Sequence, residues 1–95
     1  MVEKIQFNSI EEAEKILQRE GYRNLYLWSD PPGTFYDWHT HPFDEVRLVV
    51  EGEIKIGTEE GVVTLKKGDK MEVPAGTRHW AEVGPMGVSY LCGSK

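Results

Sequence analysis

All three histidines of the 95-residue chain, His39, His41 and His79, fall in two short segments, the first of which also carries Glu45. On a strand, His39 and His41 would project from the same face, about 6.6 Å apart along the backbone. Neutral imidazole nitrogens bind metals such as zinc at about 2.0 to 2.1 Å, so two on one face can share an ion. With Glu45 and His79 added, the set suits divalent Mn, Fe, Ni, Co, Cu or Zn.

The same histidines also have a simpler interpretation. His39 and His41 could be half-buried polar residues hydrogen-bonded to backbone, and His79 could lie on the surface. The combination of three histidines, a glutamate and regularly spaced glycines and prolines favours a metal site. Asp37 shares the predicted inward face and could orient an imidazole, or it could be solvated at the mouth of the site.

The spacing of these residues follows two patterns. The first segment fits G-x5-H-x-H-x3-E-x6-G over 33–52, and the second fits G-x5-P-x-G-x2-H over 68–79, with fifteen residues between them. The two segments together resemble the paired motifs of the cupin superfamily, in particular its small single-domain bacterial and archaeal members. The second family motif usually continues to an Asn, separated from its last His by three residues, and this chain has Val83 at that position.

The resemblance implies an all-β fold, a small double-stranded β-helix or jelly roll, with His39, His41, Glu45 and His79 as metal ligands. It also implies a metal-dependent enzyme of dioxygenase, isomerase or decarboxylase type acting on a small polar or anionic metabolite. A non-catalytic metal-bearing sensor or ligand-binding barrel is the alternative, since a shared fold does not transfer a reaction. We identify no separate catalytic residue from the sequence.

The positioning elements can be read from local patterns. Ser9 and Glu12 form a capping box, apolar residues then recur at helical spacing, and Gly21 can end the helix, which predicts one helix over about 9–20. The remainder shows short β-branched and aromatic runs separated by turn residues. Seven to nine strands are predicted, with candidates at 24–29, 35–41, 45–50, 53–57, 61–66, 70–73, 78–83 and 87–92. The whole chain, 1–95, is expected to form one domain with a barrel over about 22–92.

Alternation along the strands predicts a pocket beside the metal ligands. Counting from Glu45 places Arg47 on the interior face, where it could grip a carboxylate or phosphate. The alternative is a salt bridge from Arg47 to Glu45, Glu51 or Asp37. Phe35 and Phe43, with Asp37, are expected to line the same pocket, which would suit a small organic molecule.

The opposite parity gathers six apolar residues on the outer surface. A symmetric homodimer is the predicted cover, as in many small cupins, although the N-terminal helix or the C-terminal strand could serve instead. The six residues are Tyr36, Trp38, Trp80, Val46, Leu48 and Val50.

The composition indicates which kinds of partner the chain is expected not to bind. The net charge of -5, without a Lys/Arg cluster, argues against nucleic acid and against an anionic membrane surface. Because no stretch approaches the roughly 18 apolar residues of a membrane span and no signal-peptide core is seen, we expect a cytoplasmic protein. The single cysteine, Cys92, is expected to be a small buried hydrophobe.

Overall fold

A computed structural model describes residues 2–95. The helix α1 spans Ile10–Arg19. The strands are β1 Val2–Lys4, β2 Arg23–Asp30, β3 Phe35–His39, β4 Glu45–Thr58, β5 Gly61–Lys66, β6 Asp69–Val73 and β7 His79–Ser94.

The strands form two antiparallel layers that share β4 and β7. The first layer has the order β1-β6-β4-β7-β2, and the second has the order β5-β4-β7-β3. The first half of β4 pairs with the second half of β7, and the second half of β4 pairs with the start of β7. The predicted fold class, an all-β cupin-type barrel with one short helix, is confirmed.

The long strands β4 and β7 pass from one layer to the other where Gly52 of β4 lies against Gly87 of β7. The β4–β7 register shifts on either side of Gly52, which has a φ of +76°. A Cβ on Gly52 would lie 2.0 Å from the carbonyl oxygen of Gly87, so the strands cross too closely for a side chain. The predicted break between 83 and 87 is wrong, because β7 continues through Gly84 and Pro85 as one bent strand.

Helix α1 forms where the capping box predicted it. The Ser9 hydroxyl accepts a hydrogen bond from the Glu12 N–H at 3.1 Å, and Gly21 has a φ of +96° just beyond the last turn. The buried Lys70 ammonium on β6 then bonds the Glu20 carboxylate at 2.7 Å, which ties the end of the helix to the first layer. Within residues 2–95, no helix has the length and apolar composition that crossing a membrane requires.

The barrel has apolar clusters on both faces of the first layer. The interior cluster includes Val49, Ile54 and Leu65, and it fills the space between the two layers. The helix-facing cluster joins Leu17 of α1 to the outer face of β4.

The helix-facing cluster corrects the predicted outer patch. Val46 and Leu48 are fully buried in this cluster and Val50 packs against it, so three of the six residues assigned to a dimer partner belong to the cluster that includes α1. Tyr36 packs against the interior cluster instead of facing outward. A homodimer therefore remains a prediction without its original six-residue patch.

Candidate metal centre

Three imidazole rings meet inside the barrel. His39 ends β3, His41 lies just beyond it, and His79 begins β7. The ring centroids are 4.8 Å apart for His39 and His41, 4.2 Å for His39 and His79, and 5.1 Å for His41 and His79. One ligand nitrogen from each ring lies within 4.8 Å of the other two. The three donors can therefore reach one ion.

Backbone carbonyls orient two of the rings. The Nδ1 of His39 is 2.6 Å from the Asp37 carbonyl oxygen, and the Nδ1 of His79 is 2.9 Å from the Thr77 carbonyl oxygen. A carbonyl accepts but cannot donate, so Nδ1 carries a proton, and in the neutral form of either ring the lone pair is on Nε2. This arrangement, with Nδ1 anchored and Nε2 free, is typical of metal-bound histidine.

Two of the free nitrogens are buried without a partner. The Nε2 atoms of His41 and His79 are inaccessible to water and have no hydrogen-bond partner within residues 2–95. Buried polar atoms normally find partners, and each one left alone costs about 1 to 3 kcal/mol. The donor set of the site therefore fits a divalent transition metal, which would satisfy both lone pairs.

Burial also keeps these imidazoles neutral. It lowers the pKa of His41 and of His79 below the ordinary histidine value, and the nearby Arg47 guanidinium lowers both further. The Glu45 carboxylate opposes this effect at His41. A neutral imidazole is the form that binds metal, so the environment favours ligation at neutral pH.

Glu45 lies at the edge of the histidine cluster. Its Oε1 is 3.6 Å from the His41 Nε2 and 3.1 Å from Arg47, whose side chain is only 10% exposed. The salt bridge that the sequence left open for Arg47 is therefore formed with Glu45. The side chains whose donor atoms lie close enough together to hold one ion are His39, His41 and His79, and Glu45 adjoins this group at His41.

The second motif fixes the position of His41. The predicted strand 35–41 included His41. In the structure β3 ends at His39, and His41 lies in the loop that follows. The Gly76 N–H donates to the His41 carbonyl at 2.9 Å, and the Ala75 N–H donates to the Asp44 carboxylate at 2.8 Å. Gly76 has a φ of +80°, so a glycine suits this turn. These contacts between loops were not apparent from the sequence.

A bulge in β3 changes which residues face the cavity. The β3–β7 register shifts between Tyr36 and His39, so the simple alternation used in the prediction fails there. Tyr36 lines the cavity, while Phe35 is 57% exposed and packs beside Trp80. The predicted pocket position of Phe35 is wrong for this reason.

The bulge also moves the contribution of Asp37 from side chain to backbone. Its carboxylate accepts a hydrogen bond from the adjacent Trp38 N–H at 2.8 Å, and Asp37 is exposed. Its carbonyl oxygen, by contrast, holds the His39 ring. Phe43 in the following loop is 60% exposed and lies outside the cavity wall, so its predicted place is also wrong.

A cavity of ≈ 170 Å³ opens beside the three histidines. Arg47 lines it, as predicted, and its guanidinium lies 5.8 Å from the centre of the Tyr90 ring. Cys92 is buried, as predicted, although it also borders the cavity. Val83, at the usual Asn position, packs in the interior cluster. The remaining wall is largely aromatic and apolar: Tyr26, Trp28, Tyr36, Ile54, Ala81 and Tyr90.

The chain is similar in sequence to known enzymes. The chain is 42% identical over 72 residues to an acireductone dioxygenase of Parasynechococcus marenigrum, which covers 72% of this chain and 34% of that enzyme. An acireductone dioxygenase of Citrobacter koseri is 36% identical over 84 residues, covering 75% of this chain and 47% of that enzyme. The chain thus spans half or less of the length of these relatives.

Solved structures share the fold. A cupin-like protein from Thermotoga maritima has a TM-score of 0.67 and 27% identity, over 75% of this chain and 55% of that one. The model of the Cupin domain family matches residues 26–86, which include both histidine segments. The chain therefore belongs to the Cupin domain family.

Proposed function

We propose that His39, His41 and His79 bind a divalent transition metal with Glu45 as the fourth ligand. We further propose that the barrel is a metal-dependent enzyme acting on a small polar or anionic metabolite. The observation that supports this most directly is the pair of buried Nε2 atoms, on His41 and His79, that lack a partner within residues 2–95. A folded protein rarely keeps two such atoms a few ångströms apart without a ligand for them.

The residues of the chain have distinct roles in this proposal. The three imidazoles would provide nitrogen donors to the metal, and Arg47 holds the Glu45 carboxylate beside His41. Arg47 also presents a buried positive charge to the cavity, which would attract an anionic oxygen of the substrate. When bound, the metal would supply Lewis-acid chemistry and electron transfer toward dioxygen.

Among the reactions that the sequence left open, we favour a dioxygenase. The support is the identity with acireductone dioxygenases over 72% and 75% of this chain. The cavity volume is comparable to that of the engineered cavities of about 150 Å³ that bind benzene, which suits a compact molecule. The apolar wall would exclude water from the reacting atoms.

Metal analysis followed by an oxygen electrode tests the proposal. The protein is prepared without an affinity tag, its metal content is measured, and Fe- and Ni-loaded samples are mixed with acireductone generated in place. Stoichiometric metal with oxygen uptake is expected. His41→Ala should lose both, whereas Phe43→Ala, an exposed residue of the same loop, should keep both.

Two results would redirect the proposal. Stoichiometric metal without turnover, together with a small molecule recovered unchanged, would favour the sensor barrel. Metal content no higher in the wild type than in His41→Ala would refute the assigned ligands.

A further inference from the structure

Two aromatic side chains stand at the mouth of the cavity. Tyr26 and Trp28 on β2 line the same cavity as the histidines, yet they are 52% and 45% exposed. Their rings are 6.4 Å apart at an angle of 84°, an edge-to-face arrangement. We call this pair the aromatic rim. Half-exposed aromatic rings above a concave site are surfaces on which a ligand can bury apolar area.

Hydrogen bonds hold part of the rim in place. The Trp28 Nε1–H donates to the Asp30 carboxylate at 3.0 Å. The Tyr36 hydroxyl donates to the same carboxylate at 2.9 and 3.0 Å. A ring that is already fixed loses little conformational entropy when a ligand binds against it. The Asp30 carboxylate contacts the rim through Trp28, and its negative charge disfavours an anionic group there.

Strand register sets the distance from the rim to the polar end of the cavity. Tyr26 pairs with Cys92 on β7, and Cys92 pairs in turn with Arg47 on β4. Tyr26 and Arg47 are therefore two strand spacings apart, about 10 Å. The cavity has a polar inner end, with Arg47 and the histidines, and an aromatic outer end.

We propose that the aromatic rim is a specificity-determining subsite that selects substrates with a compact neutral apolar tail. This inference rests on the proposed function, in which the oxygen-bearing head of the substrate binds at the metal and Arg47. Arg47 draws the anionic part inward, while Asp30 keeps it away from the mouth, so the two charges fix the orientation of the substrate. The neutral tail then lies against Tyr26 and Trp28.

Two hydroxamates that share a metal-chelating head test the proposal. Titration calorimetry compares acetohydroxamate and benzohydroxamate on Ni-loaded protein. Benzohydroxamate should bind about tenfold more tightly, because roughly half of its phenyl surface would leave water on the rim. Trp28→Ala and Tyr26→Ala should each reduce this ratio to about threefold or less. Leu27→Ala, with similar exposure on the opposite face of β2, should leave the ratio unchanged.

A third hydroxamate tests the predicted orientation. Benzohydroxamate with a carboxylate in the para position should lose most of the advantage of the phenyl group, because its charge would approach Asp30. Trp28→Phe, which keeps a ring but not the indole N–H, should retain most of the selectivity. It also provides a conservative variant in case Trp28→Ala does not fold.

The outcomes separate this inference from the function on which it rests. If nickel does not load, the metal site itself is wrong. If nickel loads and acetohydroxamate binds but the phenyl group adds no affinity, only the rim proposal fails. The rim proposal also fails if Leu27→Ala lowers the ratio as much as Trp28→Ala does.

Discussion

Replacing His79 with leucine should have opposite effects on stability without and with metal. Without metal the variant should be at least as stable as the wild type, and with metal it should be less stable. His79 is 1% exposed, and its Nε2 lacks a partner within residues 2–95. In the metal-free protein, leucine would remove a desolvation cost of about 1 to 3 kcal/mol and lose one hydrogen bond to Thr77, worth about 0.5 to 1.5 kcal/mol. His79→Leu should therefore unfold at an equal or higher denaturant concentration than the wild type.

Metal should favour the wild type instead. At free metal one hundred times the dissociation constant, binding to the folded state adds about 2.7 kcal/mol. For a chain of this size that corresponds to a Tm increase of roughly 10 to 20 °C. His79→Leu, with one ligand removed, should gain little at the same metal concentration.

Urea and thermal unfolding, followed by circular dichroism, measure both effects. Each protein is stripped with a chelator, dialysed, and unfolded with and without Ni²⁺ or Zn²⁺ at pH 7.5. If His79→Leu is destabilised by the same amount with and without metal, His79 is an ordinary packing residue and not a ligand.

Three further predictions concern acid, the strand crossing and the buried arginine. Burial lowers the pKa of His41 and His79 in the folded protein. Below the unfolded histidine pKa of about 6.5, the unfolded state therefore binds more protons than the folded state does. The free energy of unfolding of the metal-free protein, measured by urea titration, should fall as pH drops from 7 to 5. Gly52→Ala should lower the free energy of unfolding by about 3 kcal/mol or more, because its Cβ would overlap backbone. Gly76 also has a positive φ, but apart from its chain neighbours no atom of the described residues lies within 4 Å of the new Cβ, so Gly76→Ala should cost about 1 kcal/mol in the same denaturant experiment. Arg47→Met should leave the Glu45 carboxylate unpaired and lower the free energy of unfolding by about 1 to 3 kcal/mol. If Glu45 is a metal ligand, added metal should restore part of that stability.

Much of the fold was predictable because its signals are local. The Ser9 cap, the apolar stripe and Gly21 define α1 within one residue at each end. The positions of the strands were also predictable from short apolar runs. The joining of neighbouring predicted strands into the long strands β4 and β7 was not. Gly52 looks like a turn residue in the sequence, and only the pairing of both strands shows that it allows a crossing.

The site was predictable in composition but not in its surroundings. The motif spacing brought His39, His41 and His79 together correctly. The bulge in β3 could not be foreseen, since one extra residue inverts the face of its neighbours without a distinctive sequence signal. Tyr26 and Trp28 were missed because they come from a strand outside both motifs.

The placement of β3 has a consequence for how an ion reaches its ligands. This strand is five residues long and, among residues 2–95, pairs with β7 alone. A short outer strand held on one side opens locally far more often than the shared pair β4 and β7. We therefore expect metal exchange to proceed through fraying of β3 while the rest of the barrel stays folded. Amide hydrogens around His39 should then exchange rapidly in chelator and slowly once a cation bridges β3 to the start of β7.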